Sequence, residues 1–144
     1  MGTYLLVYNK EINVKLTKNF NLSEFKCKCG NCTIPSDVLF NIKILAENLQ
    51  ILRDYVGVPV RINSAYRCKE HNKAVGGSPS SQHILGKAAE ITIDGFTAEE
   101  VYNTVQNLRR NPMLKGVIFQ GLGRYNTFTH VDIRDNYTTW DKRK

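Results

Sequence analysis

SSQHILGKAAEITID, residues 80–94, carries one of the chain's three histidines, His83, and, after six intervening residues, the carboxylate Glu90. From there Glu90, Thr92 and Asp94 alternate with Ile91 and Ile93, the period of a strand that buries its isoleucines and turns Glu90 to the opposite face. One straight strand through both residues would hold His83 and Glu90 about 23 Å apart. One helix would separate them by about 10 Å along its axis, and Gly86 disfavours it. The chain is therefore expected to turn at Leu85-Gly86, with His83 on the incoming arm beside Glu90 on the outgoing strand.

A second stretch, FTHVDIR at residues 128–134, has the same strand period. Phe128, His130, Asp132 and Arg134 share one face, while Thr129, Val131 and Ile133 take the other. Three nitrogen or oxygen ligands with a fourth position left for water make a catalytic zinc centre. His83 and Glu90 supply two, and the FTHVDIR face, which carries a histidine, a carboxylate and a cation, can offer the third. The residues alone leave a second reading open, in which His83 caps a turn and His130 pairs with a carboxylate in a surface ladder.

Outward from these stretches, Leu39, Ile42, Leu45, Leu49 and Leu52 recur at spacings of three and four before Gly57, which predicts a core helix over Pro35–Tyr55. Thr97 and Glu100 form a capping-box pattern ahead of Val101, Val105 and Leu108, which predicts a second helix over Thr97–Arg110. YLLVY and INVKL, between Thr3 and Leu16, read as an N-terminal hairpin or two edge strands. Val58–Asn63 reads as an edge strand, and GVIF (116–119) and FTHVDIR as strands joined by the turn-prone GLGRYNT. Strands and helices mix without a regular βαβ repeat, so the expected class is α+β, a small antiparallel sheet against two main helices, with the candidate metal site on the sheet.

The chain has 144 residues, 42% hydrophobic and 23% charged, the profile of a soluble globular chain with one core. No run approaches the roughly 20 apolar residues of a membrane helix. The start MGTYLLVYNK lacks the basic region and cleavage site of a secretory signal. A net charge of +7 and pI of 9.3 favour polyanions such as nucleic acid or cell-wall polymers. Lys142-Arg143-Lys144, the one basic run, reads as a frayed tail. A nucleic-acid module is not expected, because the cysteines lack a second C-x-x-C or a histidine pair and no aromatic-basic ladder is visible.

SAYRCKEHNKAVGGSPSSQHILGKAAEITI followed by FTHVDIR resembles the M15 zinc peptidases, which include D-alanyl-D-alanine carboxypeptidases and phage L-alanyl-D-glutamate endopeptidases. The family's Ser-x-His-x-x-Gly-x-Ala-x-Asp pattern appears as Ser81, His83, Gly86, Ala88 and Glu90. Its SGYR and HN-x-x-VGG elements appear as Ser64–Arg67 and as His71, Asn72 and Val75–Gly77. The resemblance implies one domain over 1–144, with an N-terminal hairpin and Cys-rich loop over 1–34 and a catalytic core over 35–140. It implies Zn2+ on His83, Glu90 and His130, with Arg67 facing a substrate carboxylate and Ser81 close to the substrate. Glu90 stands where the family has aspartate, and Thr127 stands where several branches carry an acid. The general base is therefore assigned to Asp132, the nearest acid on the right face, which otherwise only orients His130 or pairs Arg134. His71 reads as a structural histidine in a loop.

The implied function is hydrolysis of peptide bonds in peptidoglycan stem peptides by a phage endolysin-like monomer. Such a protein is made in the host cytoplasm and reaches the wall by lysis or injection, with no nucleic acid or membrane insertion involved. The alternative is a non-catalytic cell-wall-binding or virion protein that retains the M15 fold. Cys27, Cys29, Cys32 and Cys68 could form a closed structural zinc site, form disulfides or stay free.

Overall fold

The computed structural model describes residues 14–111, 113 and 119–144. The expected N-terminal hairpin, apart from its last residues, and all of GVIF except Phe119 lie outside them. Helix α1 spans Ser36–Val56 and buries the five predicted apolar residues, each at most 8% exposed, with Gly57 closing it through an N–H to the Arg53 carbonyl. Helix α3 spans Ala98–Arg110 behind the predicted capping box: Thr97 Oγ1 accepts from Glu100 N–H, and Glu100 accepts from Thr97 N–H. Between them lies a short helix that sequence periodicity did not announce, α2 over Lys69–Ala74.

Five strands, β1 (Val60–Ser64), β2 (Ala88–Ile93), β3 (Gly121–Arg124), β4 (Thr129–Asp132) and β5 (Thr138–Asp141), form one sheet in the order β1-β2-β4-β3-β5. The class is α+β, but the sheet is mixed, because β5 runs parallel to β3. GLGR, expected as part of a turn, is strand β3. The tail is also not frayed, since Lys142 N–H donates to the Arg124 carbonyl and Arg143 pairs with Asp141 and Glu99. Among the described residues no helix is long and apolar enough to cross a membrane.

The sheet's two faces divide the labour. Ala89, Ile91, Val131 and Leu122 join the residues of α1 and α3 in one buried cluster. Fully burying a leucine or isoleucine contributes about 1.5–3 kcal/mol, so this face holds the fold. The opposite face carries Glu90, His130 and Asp132. The loop that delivers His83 is fixed on α1. Gly86 turns with φ of +73°, a Cβ there would lie 2.7 Å from Val38 Cγ1, and Asn41 Nδ2 donates to the Leu85 carbonyl at 2.9 Å. Both the left-handed backbone and the space require glycine at that turn.

Candidate active-site cleft

Register places the site in one row across the sheet. Ser64 pairs with Glu90, Glu90 with His130, His130 with Gly123, and Gly123 with Trp140. Directly opposed residues have Cβ atoms about 4.5–5.5 Å apart, so Glu90 and His130 are neighbours by backbone alone. His83 arrives from the Gly86 turn, its ring centroid 5.2 Å from that of His130 at 81°, and its Nε2 3.8 Å from Glu90 Oε2. The turn expected between His83 and Glu90 is present, and the two groups face each other.

Each imidazole is pinned on one side. His83 Nδ1 lies 2.6 Å from the Ala65 carbonyl, which can only accept, so Nδ1 carries the proton and Nε2 keeps its lone pair. Burial, reinforced by the neighbouring His130 and Arg67, pulls the His83 pKa down to about 3, which keeps the ring neutral. His130 Nε2 lies 2.7 Å from Asp132 Oδ2. The ionised carboxylate accepts a hydrogen bond from Nε2–H, which leaves the lone pair on Nδ1. Metal-binding histidines are held in this way, one nitrogen to the ion and the other N–H on a carbonyl or carboxylate.

Asp132, assigned the base role from sequence, lies behind His130. It is fully buried and does not line the cleft, and Arg134 forks onto it, Nε to Oδ1 at 2.8 Å and Nη2 to Oδ2 at 2.7 Å. Burial alone would raise its pKa, but the hydrogen bonds from Arg134 and His130 outweigh that and hold it well below the usual carboxylate range. This geometry orients His130. Asp132 has room because Gly121 faces it, where a Cβ would collide with the carboxylate. Gly123 in the same way admits Trp140, whose ring lies 4.9 Å from His130 and whose Nε1 donates to the Tyr125 hydroxyl.

Glu90 is half-buried. Burial raises its pKa, partly offset by the positive charge of Arg67 and by His130. Arg67 Nη1 lies 3.7 Å from Glu90 Oε2, and Arg67 Nε donates to Asn72 Oδ1. Asn72 also donates to the Ser78 carbonyl and fills the space a Cβ at Gly77 would need, which is the structural use of the HN-x-x-VGG element. Ser81 Oγ accepts from His83 N–H at 3.1 Å, so the hydroxyl shapes the turn while its residue lines the cleft. His71 sits in α2 rather than in a loop, and it does not line the cleft. Thr127 is exposed, and Asp94 forks with Arg61 at the far end of β2.

The cleft holds about 540 Å³ and is lined by three cations, Arg67, Arg134 and Lys142, against one carboxylate, Glu90. The other cluster of metal-capable groups is the cysteines. Among the described residues they are the one group of three or more metal-capable side chains whose ligand atoms converge, all four sulfurs within 4.8 Å of one another.

Paired, pinned imidazoles beside a carboxylate in a cationic groove have the chemistry of a metal-assisted hydrolase. The family profile described as Peptidase M15 matches residues 18–132, covering α1, α2, α3 and strands β1 to β4. The chain belongs to the M15 peptidases. A comparison with curated proteins gave no match. The sequence reading missed Trp140, Tyr125 and the two glycines that seat the row. The signal was present in Gly121-x-Gly123, since glycines alternating in a strand mark close approach on one face.

Proposed function

We propose that this M15 peptidase is zinc-dependent and hydrolyses peptide bonds in the stem peptides of peptidoglycan, as a phage endolysin does. The observation that carries the reading is the pair of imidazoles, each with one nitrogen pinned and the other free, beside Glu90. His83 would hold the ion through Nε2, His130 through Nδ1 and Glu90 through a carboxylate oxygen. Bound there, zinc polarises a carbonyl and brings the pKa of a bound water to about 7.

The chain's own groups supply the rest. Arg67 can fork a substrate carboxylate, and its contact to Glu90, at 3.7 Å, leaves that capacity free. With the Arg134 charge met by Asp132, Arg67 and Lys142 against Glu90 still leave the cleft lining positive, which favours a peptide with acidic groups, as stem peptides have. Asp132 holds His130 in its tautomer. Glu90 is the one carboxylate among the described residues lining the cleft, and burial raises its proton affinity. With one oxygen holding the ion, the other would be placed to take a proton from a water and return it to the leaving amine.

A second reading is favoured by one observation. Asp132 has both oxygens engaged and Thr127 offers no acid, so a chain in which the ion consumes both Glu90 oxygens would bind the wall without cutting it. Digestion of purified peptidoglycan with and without chelator, read by mass spectrometry, separates the two. New amine and carboxyl ends that vanish with chelator support the peptidase, and retention on the wall without fragments supports the binding module.

A further inference from the structure

Three sulfurs come from one tight loop. Cys27, Cys29 and Cys32 follow the 3-10 turn Leu22–Phe25, and Gly30 N–H donates back to the Cys27 carbonyl. The fourth, Cys68, caps α2 from a point 41 residues away from Cys27 in sequence, its Sγ accepting from His71 N–H at 3.4 Å. Cys68 N–H in turn points at Cys27 Sγ at 3.4 Å. N–H groups aimed at sulfur stabilise negative charge there, which suits thiolates. Four thiolates around one ion at about 2.3 Å, in a tetrahedron, lie about 3.8 Å apart. Cys27 and Cys68 are 3.8 Å apart and Cys29 and Cys68 3.9 Å, and all four sulfurs fall within 4.8 Å of one another.

We propose that Cys27, Cys29, Cys32 and Cys68 form a second, structural zinc site that staples the N-terminal loop to the wall of the cleft. Four sulfur ligands close the tetrahedron and leave no position for water, so the site holds the chain together and does no chemistry. Its reach into the cleft runs through Ala65–Cys68. The Ala65 carbonyl pins His83, Tyr66 N–H donates to the Phe25 carbonyl, and Arg67 N–H donates to the His83 carbonyl before its side chain enters the cleft. An ion on Cys68 fixes one end of that segment. This inference does not rest on the peptidase reading, because it concerns different residues.

The test is zinc per chain by elemental analysis on protein expressed and purified under reducing conditions, with variants prepared in parallel. Wild type is expected to hold two, and Cys27→Ser/Cys29→Ser and His83→Ala/His130→Ala one each. Should the cysteine variant fail to fold, wild type carries the test alone. Cobalt-loaded protein should show intense thiolate-to-cobalt charge-transfer absorption, and the four thiols should resist a thiol reagent until chelator is added. Wild-type zinc that disappears entirely in the histidine variant, freely reactive thiols in metal-loaded protein, iron in place of zinc, or disulfide-linked cysteine peptides would each overturn it. None of those outcomes touches the cleft reading, which fails separately if the histidine variant keeps all its zinc.

Discussion

The thiol cluster and the imidazole cluster are joined through Ala65–Cys68, whose Ala65 carbonyl pins His83 and whose Cys68 belongs to the thiols, and they are built in opposite ways. The sulfurs face one another, all within 4.8 Å, and are closed by their own loop and by the cap of α2. The imidazoles are held from outside, by the Ala65 carbonyl and the Asp132 carboxylate, and both residues line a cleft with Arg67, Trp140 and Lys142. A closed cluster stabilises, and an open one pinned from behind can admit a substrate. Function is therefore expected to concentrate in the second cluster and stability in the first.

The largest effect expected on that division is at Glu90. Glu90→Gln keeps the shape and removes the charge, so peptidoglycan cleavage should fall about 10³-fold or more while the thermal midpoint barely moves. An active, zinc-replete Glu90→Gln protein would remove Glu90 from the site. Acid should act on the same cluster through His83. With a pKa of about 3 when folded and about 6.5 when unfolded, the ring binds its proton more readily in the unfolded chain. Stability of metal-free protein should then be full above about pH 6.5 and fall by a few kcal/mol as pH drops towards 3. Urea melts across that range check the slope, and a flat profile would mean that His83 is not held neutral by burial.

Smaller effects sharpen the contrast. Arg67→Ala should cost about 10²-fold in cleavage through lost positioning, with roughly 1 kcal/mol in stability. A collapsed midpoint instead would make the guanidinium a structural strut between Glu90 and Asn72. Gly121→Ala, outside both clusters, pushes on the Asp132 carboxylate and should destabilise by about 1–3 kcal/mol. It should also lower activity, because His130 loses the partner that fixes its tautomer. Denaturant titration and a peptidoglycan assay on the same preparation read both, and unchanged activity would separate Asp132 from His130.

Much of this was legible from periodicity. The stripe from Leu39 to Leu52, the Thr97/Glu100 box and the Ile91/Ile93 alternation each encode local structure, and each forms as read. The turn at Gly86 followed from reach alone. What sequence did not carry was set by distant partners. GLGR reads as a turn because glycine has two uses, and its strand role shows only once Asp132 and Trp140 are seen to fill the space opposite. The parallel strand β5 depends on pairing with β3 rather than on any pattern of its own. Asp132 was read as a base from its face, yet its availability was decided by Arg134, two residues on, folding back over it.

The central claim, that His83 and His130 from two separate motifs hold one zinc beside Glu90, is tested most directly by metal analysis of the His83→Ala/His130→Ala protein against wild type prepared in parallel. The account predicts one zinc fewer per chain, with the zinc on the cysteines unaffected. An unchanged zinc content would contradict it.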